Sequence, residues 1–363
     1  MRTYYIEKLA KLMGEQKMDA VMICPSEELR FLTGFSPMMC ERFQALFIKA
    51  SGEMFYICNL LYQEEMRKSF DAAIPVYSWF DGDVMSEVVS EILKEQGLGE
   101  AVIGVNSTAP AFQTIELASV LPIRFVNAKP LLEEMRICKT QEEMDALRHS
   151  AWIADQAFSA VLPKIHAGMK EYDVWQMLRE EMSSRGGEDA EGIVASGPNS
   201  SYPHYASYDR VIEEQDIIVL DFGCTWKGMY SDMSRTVFVG EPTEEQRKVY
   251  EIVDRSQLAA EKAAVLGAFI PEIDAAARDI IAEEGYDGTL VNRVGHGIGY
   301  MVHEAPDIKK SNPRHLEKGM AFSIEPGIYL AGRFGMRIEN IVMINEKGET
   351  EILNKSSREL IVL

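Results

Sequence analysis

The chain has 363 residues, of which 47% are hydrophobic and 26% are charged. This length suits one or two domains with a sizeable core, and the apolar content excludes disorder over most of the chain. The 57 acidic residues outnumber the 37 basic ones, which gives a formal net charge of -20. Because such an excess of negative charge repels phosphate groups but attracts cations, we expect no nucleic-acid or anionic-membrane partner and ask whether metal ions bind.

The cysteines and the N-terminal residues favour a reducing compartment. The five cysteines are scattered and form no CxxC pair, which argues against a disulfide framework and against a thiolate zinc site. The N-terminal segment carries an early acid, Glu7, and leads into no apolar run typical of a signal peptide. No apolar run approaches the ~18 residues that cross a bilayer. We therefore expect a cytoplasmic protein.

In the first third of the chain, short apolar strands alternate with helical patterns. Strands are predicted over residues 19–24, 45–49, 54–58, 73–77 and 102–105. A helix is predicted over 84–95, and it ends before Gly97. The tripeptide Ser51-Gly52-Glu53 separates two of the strands and is typical of a hairpin turn. A hairpin beside strand–helix alternation predicts a mixed sheet covered by helices.

The predicted domain boundary lies near residue 130, which gives an N-terminal domain over 1–130 and a second domain over 131–363. Thr140 and Glu143 have the spacing of a capping box at the start of a long amphipathic helix. Thr243 and Gln246 have the same spacing, and the helix behind them is predicted to reach about residue 266. The strands between and after these helices are richer in glycine and in charged residues.

Two aspartates lie on a predicted hairpin in the second domain. Asp221 follows the apolar run 217–220, where a carboxylate is costly to bury unless its charge is compensated. Asp232 comes after a turn through Lys227-Gly228, so a hairpin can bring the two side chains together. Adjacent anions destabilise each other unless a cation lies between them. The alternative is that Asp221 caps a turn and Asp232 is an unrelated surface residue.

Two histidines and two glutamates lie in similar strand-like surroundings. His296 is part of a Gly-His-Gly-Ile-Gly run whose glycines leave space beside the imidazole, and His303 follows it closely. A lone histidine is more often a core or surface residue, but this glycine-rich setting is less typical of either. Glu325 ends an apolar strand just before Pro326-Gly327, and Glu339 lies beside another apolar run. Taken singly, Glu325 could be an ordinary turn glutamate and Glu339 an ordinary strand-edge glutamate.

Taken together, these residues have the composition of a dinuclear metal site. Four carboxylates and one imidazole suit two divalent ions about 3.5–4 Å apart; the five residues are Asp221, Asp232, His296, Glu325 and Glu339. A water held between such ions becomes a hydroxide near neutral pH, which is the nucleophile that peptide hydrolysis needs. Mn²⁺, Co²⁺, Zn²⁺ and Fe²⁺ all accept these ligands, and we expect Mn²⁺. The sequence contains no P-loop, Rossmann fingerprint or Gly-x-Ser-x-Gly elbow.

The motifs around these residues, in their order along the chain, resemble those of the pita-bread metallopeptidase family. This family includes methionine aminopeptidases, prolidases and aminopeptidase P. The resemblance covers about residues 130–363, and its motifs are Asp-Phe-Gly, Ser-Asp-Met-Ser-Arg-Thr, Gly-His-Gly-Ile-Gly, Glu-Pro-Gly and Arg-Ile-Glu-Asn. The N-terminal third resembles the creatinase-type domain of the proline-specific members. The resemblance therefore implies an α/β (α+β) protein in which a pita-bread catalytic domain follows a creatinase-type domain.

The resemblance also implies roles for individual residues. The family's five metal ligands match Asp221, Asp232, His296, Glu325 and Glu339. Glu325 matches, in addition, the carboxylate that passes a proton from the nucleophile to the leaving nitrogen.

Four residues match, or replace, family positions that contact the substrate or the ligands. His204 matches a histidine on the leaving-group side, and His303 matches one that hydrogen-bonds the scissile carbonyl and its oxyanion. Arg337 matches a cation that orients the ligand carboxylates, although a solvent-facing strand arginine is the alternative. Asn292 stands where many proline-specific members have a substrate-binding histidine, so specificity is the least defined property.

The resemblance implies a peptidase that hydrolyses the Xaa-Pro bond at the N-terminus of dipeptides or short peptides. Prolidase and short Xaa-Pro aminopeptidase sequences share this length and pattern, and the family implies a homodimer in which one subunit's N-terminal domain limits access to the other's site. One alternative is a metal-free, creatinase-like amidinohydrolase. The other is a non-catalytic peptide-binding relative. The five ligand types present here argue against both, because such relatives have lost ligands.

Overall fold

The structure is a computed structural model that describes residues 2–70, 72 and 74–363. The chain forms two compact units, Met1–Arg136 and Ile137–Leu363. The division after residue 130 that the sequence suggests stays a prediction. In the described part of the chain, no helix combines the length and the apolar character needed to cross a membrane.

The N-terminal unit is a six-stranded sheet with helices. Its helices are α1 (Thr3–Glu15), α2 (Glu27–Thr33), α3 (Gln63–Ser69), α4 (Met85–Glu95), α5 (Ala111–Val120) and α6 (Lys129–Arg136). Its strands are β1 (Ala20–Ile23), β2 (Ala45–Lys49), β3 (Met54–Asn59), β4 (Val76–Trp79), β5 (Val102–Val105) and β6 (Arg124–Asn127). The order is β4-β3-β2-β1-β5-β6, with antiparallel β1–β2 and β2–β3 pairs and parallel pairs elsewhere. The expected mixed sheet is confirmed.

Local signals explain several boundaries in this unit. Gly52 adopts a φ of 86° in the turn between β2 and β3, which is the left-handed conformation that glycine allows. Ser26 caps α2 by accepting a hydrogen bond from the Leu29 N–H at 3.2 Å. Strand β4 begins later than the predicted strand over 73–77, and residue 73 of that prediction lies outside the described residues.

The second unit contains four long helices and three sheets. The helices are α7 (Gln141–Val161), α8 (Glu171–Ser184), α9 (Glu244–Ala263) and α10 (Ile270–Ile281). Both predicted capping boxes form, at Thr140 and at Thr243. Helix α9 ends before the predicted residue 266, because the backbone of Ala264 leaves the helical conformation with a ψ of 73°.

The strands of the second unit build two five-stranded sheets and one hairpin. They are β7 (Glu188–Ser196), β8 (Ile217–Trp226), β9 (Met229–Tyr230), β10 (Met233–Phe238), β11 (Gly295–Gly297), β12 (Glu304–Ile308), β13 (Ala321–Ile324), β14 (Gly327–Leu330), β15 (Phe334–Arg337), β16 (Asn340–Ile344), β17 (Thr350–Ile352) and β18 (Ile361–Val362). One sheet has the order β18-β10-β8-β7, with β9 paired to β8; another has the order β12-β11-β13-β16-β17; β14 and β15 pair alone.

The apolar core of the second unit packs against one face of strand β8, and Asp221 lies on the other face. Strand β8 is buried along most of its length, and its inner face packs against α7 and α8 through residues such as Leu220 and Phe222. The sequence suggests that Asp221 ends its strand. In the structure Asp221 lies in the middle of β8, because the strand continues to Trp226. Across the ladder, Asp221 pairs with Ser234 of β10. Asp232 therefore lies immediately before the start of β10.

Candidate metal centre

All nine residues singled out from the sequence line one cavity of about 370 Å³. It is lined by His204, Asp221, Asp232, Asn292, Arg293, His296, His303, Glu325, Arg337 and Glu339. Two of the five candidate ligands lie on strands β8 and β11. The other three lie in the connections before β10, between β13 and β14, and between β15 and β16. Residues far apart in sequence are therefore brought together by the ends and edges of two sheets.

The strand that carries His296 requires glycine on both sides of the histidine. A Cβ at Gly295 would overlap the carbonyl oxygen of Ser323, and a Cβ at Gly297 would overlap the backbone of Ala305. Strand β11 therefore lies unusually close to its neighbours β13 and β12. The close approach buries His296, whose side chain is 3% exposed.

The tautomer of His296 directs one ring nitrogen at the carboxylates. Its Nδ1 lies 3.1 Å from the carbonyl oxygen of Gly297. Because a carbonyl only accepts, Nδ1 carries the proton and donates it in that hydrogen bond. Burial, with a smaller contribution from His303, lowers the pKa of His296 to about 3, so the ring is neutral. The Nε2 lone pair then faces Asp232 Oδ2 at 3.7 Å and Glu325 Oε1 at 3.3 Å.

The carboxylates of the site are buried close to one another. Burial, followed by the charges of Glu339 and Asp221, raises the pKa of Asp232 well above its ordinary value. Burial and the charge of Glu325 do the same to the pKa of Glu339. Burial is also the main cause that raises the pKa of Glu325 to about 7. These groups hold negative charge at neutral pH only if cations compensate it.

The donor set fits divalent metal ions. Asp232, His296 and Glu339 each offer one ligand atom, and these atoms all lie within 4.8 Å of one another. Glu339 Oε1 is buried without a hydrogen-bond partner among the described residues. Because a buried acceptor left unsatisfied costs free energy, this orphaned oxygen is the observation that a bound cation explains. Two carboxylates and an imidazole nitrogen are ligands that first-row divalent metals accept.

Arg337 holds part of the carboxylate cluster in place. It is buried, forms an ion pair with Asp221, and donates from Nε to Ser234 Oγ at 2.9 Å. Ser234 Oγ in turn donates to Glu339 Oε2 at 2.7 Å. Burial opposes the charge of Arg337, but Tyr329, Asp221 and the nearby glutamates outweigh it and raise its pKa. One cation thus fixes one oxygen of each of two candidate ligands.

Two histidines face the same cavity from its rim. The His303 ring lies 4.3 Å from that of His296, at an angle of 86°. Partial burial, then the charges of Arg293 and His204, lower the pKa of His303, which favours its neutral form. His204 is exposed. Asn292 donates from Nδ2 to Glu325 Oε2 at 3.5 Å, and its own Oδ1 lacks a partner among the described residues.

Several residues that contact the candidate ligands or lie beside them cannot be recognised from the sequence. Ser234 and Ser323 lie inside the quoted motifs, but a serine has no pattern that marks it as a partner of a carboxylate. Ser323 Oγ accepts from the His296 N–H at 3.1 Å and donates to Glu325 Oε1 at 3.3 Å. Lys139 and Glu304 form a buried ion pair of 2.9 Å beside His303.

Comparisons with known proteins identify the family of both parts of the chain. The family model described as metallopeptidase family M24 matches residues 145–346, and the model described as creatinase/prolidase N-terminal domain matches residues 6–138. The probable dipeptidase PepE of Mycobacterium tuberculosis is 37% identical over 347 residues, which cover 94% of this chain and 92% of that protein. The Xaa-Pro dipeptidase of Pyrococcus furiosus is 33% identical over 358 residues, covering 98% and 99%.

A solved structure gives the same result for the fold. The crystal structure of dipeptidase PepE from Mycobacterium ulcerans matches with a TM-score of 0.92 and 34% identity, covering 100% of this chain and 99% of that one. The expected pita-bread and creatinase-type architecture is confirmed, as is the expectation of a peptidase. The chain belongs to metallopeptidase family M24 and is a peptidase of the hydrolase class.

Proposed function

We propose that the protein hydrolyses the Xaa-Pro bond of dipeptides or short peptides with the help of two divalent metal ions. The observation that carries this proposal is the cluster of buried carboxylates around a neutral His296, in which Glu339 Oε1 lacks a partner among the described residues. The similarity to an Xaa-Pro dipeptidase along almost the whole chain supports the choice of substrate.

Five residues would hold the metal ions: Asp221, Asp232, His296, Glu325 and Glu339. When bound, divalent ions lower the pKa of a water towards neutrality and polarise a carbonyl, and both effects serve peptide hydrolysis. Mn²⁺ is the proposed native metal, and Co²⁺, Zn²⁺ and Fe²⁺ are the alternatives that the same ligands accept. Arg337 and Ser234 would keep the ligand oxygens oriented, since both bind them directly.

Glu325 would move the proton that hydrolysis requires. Its carboxylate takes the proton that the attacking water releases and gives it to the imino nitrogen of proline as the C–N bond breaks. A carboxylate beside the reacting water can act first as general base and then as general acid. Ser323 and Asn292 each donate a hydrogen bond to one of its oxygens, at 3.3 and 3.5 Å, and so limit its rotation.

The histidines at the rim would act on the substrate itself. His303 is neutral because its pKa is lowered, and a neutral imidazole can donate one N–H to the oxyanion of the tetrahedral intermediate. His204 lines the same cavity and would contact the leaving-group side.

The test is hydrolysis of Xaa-Pro dipeptides by the purified protein with Mn²⁺. We expect release of proline that stops with chelator, returns with Mn²⁺, and is absent in Asp221→Ala. Xaa-Pro-Yaa substrates measured in parallel separate a dipeptidase from an aminopeptidase. Turnover that neither chelator nor Asp221→Ala changes would contradict the mechanism.

A dipeptidase without a proline requirement is the second candidate. Two observations favour it: the PepE relative bears the name dipeptidase without mention of proline, and Asn292 replaces the usual histidine. Hydrolysis of Xaa-Ala dipeptides as fast as Xaa-Pro would identify this candidate.

Two further properties belong to the proposal. We propose a homodimer, which light scattering coupled to gel filtration would detect as twice the chain mass. We also propose a reducing compartment, the cytoplasm, because all five cysteines are free thiols.

A further inference from the structure

A second cavity of about 430 Å³ adjoins the candidate metal centre. It shares His204, Asp221, Asp232 and His303 with the first cavity, so a substrate held at the metal centre reaches it directly. Its remaining wall contains four aromatic residues and one further acid, namely Trp175, Tyr208, Phe222, Tyr230 and Glu191. No arginine or lysine is among the described residues that line it.

The aromatic wall is held in a defined position. Trp175 lies so close to strand β7 that a Cβ at Gly192 would overlap its ring. Tyr208 donates a hydrogen bond from its hydroxyl to the Gly192 carbonyl, and its backbone has a φ of 55°, a conformation that is strained for a side-chain residue. The two rings are stacked, with centroids 6.2 Å apart and planes 20° from parallel. Such a wall offers π faces to a bound side chain.

Glu191 places a carboxylate at this wall. It follows an irregularity in the pairing of β7 with β8, between Glu188 and Glu191, which redirects the strand beside the cavity. Glu191 is exposed and accepts a hydrogen bond from the Tyr230 hydroxyl at 3.4 Å. It forms no ion pair with any described residue. Asp221 is already paired with Arg337, and Asp232 belongs to the candidate metal ligands, so Glu191 is the acid of this cavity left to meet a substrate.

An acid beside aromatic faces is the environment that binds a cationic side chain. Proline carries no charged side chain, so in an Xaa-Pro dipeptide the cation has to be on the N-terminal residue. We propose that Glu191 makes the enzyme prefer substrates with lysine or arginine at the first position. This inference rests on the proposed function and specifies its substrate class.

The experiment compares Lys-Pro with norleucine-Pro, a substrate with an unbranched, uncharged N-terminal side chain. We expect the kcat/KM of the Mn²⁺-loaded protein to be about tenfold higher for Lys-Pro than for norleucine-Pro, which is the effect of one charge-assisted contact. Glu191→Gln should remove this preference by lowering kcat/KM for Lys-Pro, while kcat/KM for norleucine-Pro stays the same. Glu188→Gln is the matched control, because Glu188 is exposed on the same strand but outside the cavity. It should keep the preference.

Two results would overturn the inference. One is an equal kcat/KM for the two substrates in the unsubstituted protein. The other is an equal loss for both substrates in Glu191→Gln, which would mean that Glu191 binds the α-amino group or supports the fold. If neither dipeptide is hydrolysed, the proposed function fails by itself. Calorimetric binding of Lys-Pro and norleucine-Pro to the Mn²⁺-loaded protein then still decides the role of Glu191, because equal affinities would contradict it.

Discussion

Two buried glutamates of the second unit, Glu171 and Glu339, differ sharply in their surroundings. Glu171, at the start of α8, is 0% exposed, and its Oε1 accepts from the N–H of Ser196 at 2.6 Å, from Ser196 Oγ at 2.8 Å and from Asn199 at 3.1 Å. Its other oxygen accepts from the Arg210 N–H at 3.3 Å. Glu339 is 1% exposed, yet among the described residues only Ser234 donates a hydrogen bond to it, and only to one of its oxygens.

The difference separates a structural carboxylate from a binding one. A buried acid that only supports the fold is surrounded by donors, because an ionised group without them is costly to bury. The charges of Glu325 and Asp221 instead oppose that of Glu339, and they and burial outweigh the favourable contributions of Arg337 and Ser234. Such an arrangement stabilises neither the fold nor the charge by itself. It becomes favourable when cations bind.

Removing the charge of Glu339 is the substitution predicted to weaken metal binding most. We expect Glu339→Gln to lower metal affinity and kcat/KM by more than about 100-fold, beyond the effect of a residue that only orients ligands. Glu171→Gln is the matched control. It should lower the free energy of unfolding by about 1–3 kcal/mol, because buried donors lose part of their acceptor, while metal content stays unchanged. Similar activity losses in both variants would contradict the contrast between the two sites.

Glu325→Gln should lower kcat by about 10²–10⁴-fold, the usual contribution of a general acid–base group. The amide cannot carry a proton between the water and the leaving nitrogen. Ser323→Ala, which removes one hydrogen bond to Glu325, is the comparison variant and should lose far less. Steady-state kinetics with Xaa-Pro at saturating Mn²⁺ measures both. An unchanged kcat in Glu325→Gln would assign proton transfer to another group.

Ser234→Ala tests the connection between Arg337 and Glu339. We expect a 10–100-fold loss of metal affinity, the usual range for partners that orient ligands. Ser231→Ala is the control from the same hairpin, because Ser231 is equally buried and bonds only the Cys224 backbone and thiol. It should change stability but not the Mn²⁺ titration. Equal metal affinities in the two variants would show that Ser234 does not orient Glu339.

The smallest predicted effect is a pH dependence of stability in the metal-free protein. The folded-state pKa of Glu325 is raised to about 7 from an ordinary 4.5, so its contribution is fully present below pH 4.5 and is lost as the pH rises through 7. We expect the free energy of unfolding of the metal-free protein to fall between pH 5 and pH 7 by roughly 1 kcal/mol per pH unit for one such group, and its Tm to fall with it. Added Mn²⁺ should raise Tm more at pH 8 than at pH 5. A metal-free Tm that rises over this interval would contradict the raised pKa.

The sequence indicated which residues gather in the cavity better than it indicated the contacts that hold those residues in place. Motif spacing was enough to select the candidate ligands, because each lies beside an apolar strand and glycines mark the close approach at His296. It could not show that β8 continues through Asp221, since the partner that makes this tolerable, Arg337, comes from the distant β15. The roles of the five candidate residues as metal ligands stay predictions.

The fold was predicted at the level of elements for similar reasons. The capping boxes at Thr140 and Thr243 are local signals, and both form. Glu191 could not be recognised as a cavity residue, because a shift in the β7–β8 pairing breaks the alternation that would assign its face. The buried pair of Lys139 and Glu304 joins positions far apart in sequence, and no local pattern predicts such a contact.

Titration of the metal-free protein with Mn²⁺, with bound and free ion measured after equilibrium dialysis, is the most direct test of the central claim. The account predicts two Mn²⁺ ions per chain for the unsubstituted protein and for Glu171→Gln, and fewer than two for Glu339→Gln. Two ions bound with equal affinity by all three proteins, or none bound by the unsubstituted protein, would contradict it.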